Sequence, residues 1–273
     1  MRKPVTRFPF ATGTTNRFGK SSLGQGFTAS NSNTRITLPS QGKPGQASPL
    51  PQAPAPQANL GLNSERLRAM MVQRLRNQGI QDERILSAMM AVPRHVFVDE
   101  GLASRAYEDA ALPIGHGQTI SQPWVVARMI AAVCEDRVPL KVLEVGAGCG
   151  YQAAVLAQIV KDVHAVERIR GLYEMARYHL RALKLTSRVR LSFSDGMLGL
   201  PGAAPFDGII VAAAGIKIPQ ALLDQLVIGG RLIAPEGSVA QRLILIERTG
   251  AASWRRQELE SVRFVPLRAG TQT

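Results

Sequence analysis

The sequence predicts an α/β protein in which helices cover both faces of a mostly parallel central sheet. From residue 138 onward, short apolar segments alternate with longer segments of helical periodicity, and a glycine cluster directly follows the first apolar segment. Of all residues, 45% are apolar, which is enough for one large buried core. These observations favour a single α/β domain of the kind that binds a ligand at the ends of its strands.

The first 62 residues differ in composition from the rest of the chain. They hold eight of the seventeen prolines, and residues 1–64 carry seven Lys or Arg and no Asp or Glu. Only six of the thirteen net positive charges (13 − 7 = 6) remain for the other residues. Such a segment buries too little apolar surface to offset its chain entropy. We expect a disordered basic extension over 1–62 and a folded domain over 63–273.

Three helices are expected in the first part of the folded domain, residues 63–134. Asn63 and Ser64 are suitable N-caps for the segment ERLRAMMVQRLRN. A second helix is expected to start at Asp82 and to end before Pro93. Pro123 can begin a third, because proline is favoured in the first helical turn.

The second part of the domain, residues 138–267, is expected to form a cofactor-binding α/β core. Its last segment, 253–267, is expected to end in a strand. The remaining strands are predicted over 138–145, 162–169, 188–196, 206–214, 229–237 and 241–249, and the helices over 151–160, 170–185 and 218–227.

The glycine cluster Gly146-Ala147-Gly148-Cys149-Gly150 lies between a strand and a helix, where α/β proteins bind cofactors. Glycines allow a sharp turn and a close approach of the ligand. A dinucleotide loop would read Gly-x-Gly-x-x-Gly, but Tyr151 occupies the sixth position. A pyrophosphate ligand is therefore disfavoured, and Cys149 is interpreted as a small neighbour of the cofactor rather than a nucleophile.

Carboxylates near the ends of three successive strands favour S-adenosylmethionine as the ligand. Glu144 precedes the glycines and suits a positively charged group, Glu167 is placed to hold the ribose hydroxyls, and Asp195 to bond the adenine amino group. Each carboxylate alone could be an ordinary solvated residue. Together they predict a Rossmann-like S-adenosylmethionine-dependent methyltransferase fold.

The residues after the fourth predicted strand restrict the methyl acceptor. Methyltransferases that act on nitrogen commonly carry an Asn/Asp-Pro-Pro-aromatic motif there, whereas this chain has Ala212-Ala213-Ala214. An acceptor that needs little chemical assistance fits better. A carboxylate, with an ordinary pKa near 4, is already a nucleophile at neutral pH and needs mainly to be positioned.

The loop LPIGHGQTISQP, residues 112–123, followed by VLEVGAGCGYQ, resembles the protein-L-isoaspartate O-methyltransferase family. The resemblance runs from about Glu65 to Leu267 and includes VPRHVFV, SDG and GGRLIAPEGSVAQRLILIER. It implies methylation of the α-carboxylate of L-isoaspartyl residues in damaged proteins and peptides, with S-adenosylmethionine as cofactor. The ester then cyclises to a succinimide, part of which reopens as normal aspartate.

The resemblance also implies roles for individual residues. Ser121 matches the active-site serine, whose hydroxyl would orient the acceptor carboxylate within a flexible lid formed by the loop. From the residues alone, Ser121 could equally cap the helix at Pro123. His116 is interpreted as structural or substrate-binding, and Asp109 as an anchor of the loop. The cofactor-binding set comprises Gln118, Thr119, Ile120, Glu144, Gly146, Gly148, Glu167, Asp195, Gly196 and Gln241.

Two other functions stay open on the residues alone: a methyltransferase for RNA or a small molecule, and a cofactor-binding scaffold without activity. The chain has two cysteines and no apolar run of eighteen residues, so no disulfide framework, zinc site or membrane span is expected. This pattern suits a reducing compartment. We expect a cytoplasmic monomer that acts on isoaspartyl proteins and peptides, with no metal and no specific nucleic-acid partner.

Overall fold

The computed structural model describes residues 60–273, with side chains from residue 64 onward. The disorder expected over residues 1–62 lies outside the described residues as far as residue 59, and its last part is wrong, because residues 60–62 are helical. Helix α1 spans Leu60–Asn77 and therefore begins before Asn63 and Ser64. The predicted N-cap is wrong because no proline stands between residues 60 and 63 to stop the helix, and cap residues fix a helix end only to within a few positions.

The next elements agree with the sequence. Helix α2 spans Glu83–Ala91, and the Asp82 carboxylate caps it by accepting a hydrogen bond from the Arg84 amide. Two short 3₁₀ helices then lead to the loop that precedes α3, at Arg94–Phe97 and Glu100–Arg105.

The loop expected to be a flexible lid is a β-hairpin. Strand β1, Leu112–Gly115, pairs antiparallel with β2, Gln118–Ile120. The two residues between them, His116 and Gly117, both have positive φ, +53° and +66°. Two such residues are typical of the tight turn whose twist matches an antiparallel pair. Helix α3, Pro123–Cys134, follows with Pro123 in its first turn.

A seven-stranded sheet forms the centre of the domain. Its order is β5-β4-β3-β6-β7-β8-β9, parallel from β5 to β7 and antiparallel at the β7–β8 and β8–β9 pairs. The strands are β3 Lys141–Val145, β4 Asp162–Glu167, β5 Val189–Phe193, β6 Phe206–Val211, β7 Leu226–Gly237, β8 Gln241–Gly250 and β9 Ser253–Val262. The predicted fold class, a mostly parallel Rossmann-like sheet, is confirmed.

Helices α4 Tyr151–Ile159 and α5 Arg170–Ala182 match the predicted segments. The helix predicted over 218–227 is only α6, Gln220–Asp224, because the residues from Leu226 onward pair with β6 as part of β7. The strand predicted at the end of 253–267 instead lies at its beginning, where β9 pairs along β8.

Both faces of the sheet are covered by apolar residues, and successive side chains of β3 point to different faces. Val142 packs with the larger cluster, which includes residues of α1 to α5, whereas Leu143 and Val145 pack with a smaller cluster that includes Leu222 of α6. Since β3 has β4 on one side and β6 on the other, the chain order reverses at this strand. A crevice at the carboxyl ends of these strands is where such sheets bind ligands.

Candidate active site

A cavity of about 420 Å³ lies at the carboxyl ends of β3, β4 and β6. Several parts of the chain line it: the β1–β2 hairpin and the start of α3, the turn after β3 and the start of α4, the end of β4 and the start of α5, Gly196, the residues directly after β6, and residues near the C-terminus. Nine of the eleven residues predicted for the site line the cavity, namely Gln118, Thr119, Ile120, Ser121, Glu144, Gly146, Gly148, Glu167 and Gly196.

The turn after β3 depends on glycine at two positions. Gly148 has φ of +55°, and a Cβ there would lie 3.3 Å from the Ile114 side chain of the hairpin. Gly150 has φ of +89°, and a Cβ there would lie 3.2 Å from Ala176 of α5. Side chains at these positions would be strained and would crowd their neighbours, so the turn needs the glycines that the sequence places there.

The Glu167 carboxylate is fixed at the end of β4. Its two oxygens accept hydrogen bonds from the Gly148 and Ile169 amides, each at 2.8 Å. Burial raises the pKa of Glu167, and the backbone amides oppose that rise by favouring the charged form. Each oxygen retains a lone pair with which to accept a hydrogen bond from a ligand.

Glu144 is a second acid in the cavity wall, 1% exposed. Within the part of the chain that the structure describes, its Oε2 atom has no hydrogen-bond partner. Burial, together with the nearby charge of Glu167, raises the pKa of Glu144 well above its ordinary value. A buried carboxyl without a partner is costly, which indicates a site built to receive a polar or cationic group.

Ser121 lies at the end of the hairpin and lines the cavity. It does not cap α3: the N-cap residue is Gln122, which makes no side-chain cap bond, and the Trp124 amide donates instead to the Asp109 carboxylate at 3.3 Å. The capping alternative is therefore wrong. Asp109 also accepts from the Gln78 amide group at 3.1 Å, so it anchors this loop as the sequence suggested.

Arg94 holds the backbone of Ser121, a contact that the sequence did not reveal. Its Nη2 donates to the Ser121 carbonyl and its Nε to the Ala106 carbonyl, both at 2.7 Å. The side chain is 0% exposed, and the guanidinium lies 4.8 Å above the centre of the Tyr151 ring. Burial lowers the pKa of Arg94. The sequence feature that could have indicated a buried arginine is the position of Arg94 within the mostly apolar segment VPRHVF.

His116, at the hairpin turn, lies against the first turn of α5. A Cβ on Gly171 would overlap the His116 imidazole, so the ring packs directly on this glycine. His116 therefore both lines the cavity and contacts α5, a position that fits either the structural or the substrate-binding interpretation.

Asp195 and Gln241 are not among the cavity-lining residues. The Asp195 carboxylate accepts from the Met197 amide at 2.9 Å and from the Gly270 amide at 2.7 Å. Gln241 accepts from the Phe264 amide at 2.6 Å and donates to the Phe264 carbonyl at 3.1 Å. Both side chains thus make hydrogen bonds to C-terminal residues, and neither lines the cavity.

Residues 264–272, the C-terminal strap, form a cavity wall that the sequence did not predict. The strap pairs with Ala214, which lies just after β6: the Ala214 amide donates to the Val265 carbonyl and the Leu267 amide to the Ala214 carbonyl, each at 2.8 Å. At its far end, Arg168 donates to the Gly270 carbonyl at 2.8 Å. Five strap residues line the cavity: Val265, Pro266, Leu267, Arg268 and Gln272.

Several other classes of site find no support. Cys134 and Cys149 are free and buried, and burial raises the pKa of each thiol to about 11, which leaves both protonated. Among residues 64–273, no group of three His, Cys, Asp or Glu side chains is arranged to hold a metal ion. No helix within the described residues is long and apolar enough to cross a membrane.

Comparison with known proteins identifies relatives of the whole chain. A family model described as protein-L-isoaspartate(D-aspartate) O-methyltransferase (PCMT) matches residues 65–272. A protein of Bordetella petrii named protein-L-isoaspartate O-methyltransferase is 70% identical over 278 residues, which cover 100% of both chains. A protein of the same name from Bordetella avium is 68% identical, again over 100% of both chains.

Solved structures agree with the sequence comparison. One named protein-L-isoaspartate O-methyltransferase is 28% identical, with a TM-score of 0.67 over 75% of this chain and 67% of that chain. A β-aspartate methyltransferase (PCMT) structure from Plasmodium falciparum, in complex with S-adenosyl-L-homocysteine, is 24% identical, with a TM-score of 0.63 over 74% of this chain and 98% of that chain. The latter likeness supports the fold.

Proposed function

This chain belongs to the protein-L-isoaspartate O-methyltransferase family, and from that premise we propose which of its residues perform the reaction. The enzyme methylates the α-carboxylate of isoaspartyl residues with S-adenosylmethionine and so initiates their repair. This function takes precedence over the alternatives that the residues alone left open, another acceptor or a scaffold without activity.

The cavity fits S-adenosylmethionine, which when bound supplies a methyl group on a positively charged sulfur. The unpartnered Oε2 of Glu144 offers a buried acceptor for a cationic ligand. Glu167, held by two backbone amides, offers a carboxylate for neighbouring hydroxyls. Gly146, Gly148 and Gly196 keep side chains out of this part of the cavity, and Gln118, Thr119 and Ile120 close it from the hairpin side.

Asp195 fits its proposed role less directly. Its carboxylate, near the end of β5, accepts from two backbone amides, one of them in the strap. A third hydrogen bond, from an adenine amino group, uses a remaining lone pair. We propose this shared role for Asp195 and none for Gln241, whose amide is committed to Phe264.

Ser121 is the proposed catalytic residue. Ser121 lines the cavity, and its hydroxyl makes no hydrogen bond to any part of the chain that the structure describes, so it is available to donate to an oxygen of the acceptor carboxylate. This free hydroxyl, on a backbone fixed by Arg94, is the observation that carries the proposal.

No general base is needed. The acceptor is ionised at neutral pH, so no proton has to leave before the oxygen can react. The residues instead hold the acceptor in line and restrict its motion, which can supply on the order of 7–11 kcal/mol. The buried thiol of Cys149 stays outside the chemistry because its pKa of about 11 keeps it protonated.

We further propose that the enzyme works as a cytoplasmic monomer. Both cysteines are free thiols, which suits a reducing compartment. The proposed partners are isoaspartyl proteins and peptides.

The test combines calorimetric titration of S-adenosylmethionine with an assay of methanol released from an isoaspartyl peptide. Ser121→Ala is expected to lower kcat by about 10- to 100-fold, because the acceptor loses a positioning contact. Its affinity for the cofactor should stay within twofold. Ser187→Ala, at an exposed serine outside the cavity, is the matched control. Normal turnover by Ser121→Ala would remove this residue from the mechanism.

A further inference from the structure

One positively charged side chain of the cavity lining has no hydrogen-bond or ion-pair partner within the described part of the chain. Arg268 of the strap lines the cavity and its side chain is exposed. Across the described residues it makes no hydrogen bond or ion pair. Arg168, the other arginine of the lining, is committed, since it donates to the Gly270 carbonyl at 2.8 Å and to the Gln272 side chain at 3.3 Å.

The acids of the cavity do not neutralise Arg268. Glu167 is bonded to backbone amides, and Glu144 is 1% exposed with a raised pKa that favours its neutral form. The mouth of the cavity is therefore cationic on the strap side. The substrate of the proposed function carries at least one carboxylate.

The backbone around Arg268 is fixed on both sides. The Leu267 amide donates to the Ala214 carbonyl at 2.8 Å, and the Gly270 amide donates to the Asp195 carboxylate at 2.7 Å. A guanidinium on an anchored backbone offers up to five N–H donors in a planar fork that matches a carboxylate. Less entropy is lost when such a preorganised group binds its partner.

We propose that Arg268 is a specificity-determining residue that pairs with a carboxylate of the bound peptide. That carboxylate is either the side chain of an acidic residue next to the isoaspartyl residue or the acceptor group itself. The inference rests on the proposed function, because it assigns the occupant of the cavity as an isoaspartyl peptide. Pairing with a neighbouring acid would give the enzyme a preference for acidic sequence context, whereas pairing with the acceptor would add a contact that orients the reacting group.

The test compares wild type, Arg268→Gln and the control Arg263→Gln, which changes an exposed arginine outside the cavity lining. Three fluorescent peptides are used: an isoaspartyl residue flanked by glutamates, the same residue flanked by glutamines, and the glutamine peptide with the α-carboxylate replaced by an amide. Binding is measured by anisotropy with S-adenosylhomocysteine present, and turnover is measured separately with S-adenosylmethionine.

If Arg268 pairs with a flanking acid, Arg268→Gln should weaken binding of the glutamate peptide about two- to fivefold, in line with partly exposed ion pairs. Binding of the glutamine peptide should be unchanged, and 0.5 M salt should remove the difference by screening. If Arg268 pairs with the acceptor, both carboxylate peptides weaken and the amide peptide does not. Arg263→Gln should match wild type throughout.

The inference would be overturned if Arg268→Gln bound each of the three peptides as tightly as wild type does. That outcome differs from failure of the proposed function, which would appear as a wild-type protein that methylates no isoaspartyl peptide. Because binding is measured independently of turnover, each result bears on one proposal alone.

Discussion

Replacement of Arg94 by methionine tests whether a buried arginine holds Ser121, the proposed catalytic residue, in place. Arg94 is 0% exposed and donates to two carbonyl groups, those of Ala106 and Ser121, each at 2.7 Å. Methionine fills much of the same volume and donates no hydrogen bond. Both carbonyls would lose a donor that holds distant parts of the chain together.

The magnitude follows from these two contacts. Hydrogen bonds to charged groups contribute about 1.5–3 kcal/mol each, so their loss costs about 3–6 kcal/mol. Burial disfavours the charged form of Arg94, as its lowered pKa shows, and removing that charge recovers part of the cost. We expect Arg94→Met to lower the free energy of unfolding by about 2–4 kcal/mol. Lysine, which retains a donor, should lie between methionine and wild type.

The assay is guanidinium denaturation alongside peptide methylation under native conditions. A shift of Ser121 of roughly 1 Å can cost about 100-fold, so kcat should fall in Arg94→Met by more than cofactor affinity does. Arg94→Lys should restore part of kcat, which a purely global loss of stability would not explain. The control Arg76→Met removes an exposed ion pair with Glu83 and should cost under about 1 kcal/mol. An unchanged midpoint and kcat in Arg94→Met would refute the reasoning.

Two further predictions concern Glu144 and the contact between Gly171 and His116. The folded-state pKa of Glu144 is raised, so its contribution to stability is fully present below the unfolded pKa of about 4.3 and is lost as pH rises toward the folded value. Glu144→Gln should therefore gain stability relative to wild type over that range, by at most about 1.4 kcal/mol per pH unit, and parallel stability curves for the two proteins would contradict this. Gly171→Ala places a Cβ on the His116 ring, and it should raise the peptide KM several-fold by displacing the hairpin. The double variant with His116→Ala removes the overlap and should bring KM back toward that of His116→Ala alone. If Gly171→Ala left KM unchanged, the position of the hairpin would not depend on this contact.

The sequence by itself determined the features that depend on local chemistry. The period of apolar residues predicted α4, α5 and the parallel strands, because side-chain spacing differs between a helix and a strand whatever else surrounds them. The glycine turn and the acids Glu144 and Glu167 were predicted from their positions at strand ends, because the carboxyl ends of parallel strands meet at one edge of a sheet. The loop motif, through its resemblance to a family, led to the proposed role of Ser121.

Only the tertiary structure decided which polar side chains line the cavity and which make hydrogen bonds to distant parts of the chain. Asp195 and the amide of Gly270 are 75 positions apart in sequence, and Arg94 and the carbonyl of Ser121 are 27 apart. No local pattern encodes such pairs, because a hydrogen bond depends on where the packed sheet brings two atoms and not on their spacing along the chain. For the same reason the sequence did not show that the strap, which has no apolar period of its own, is a cavity wall: its backbone partners are the residues just after β6 and β4.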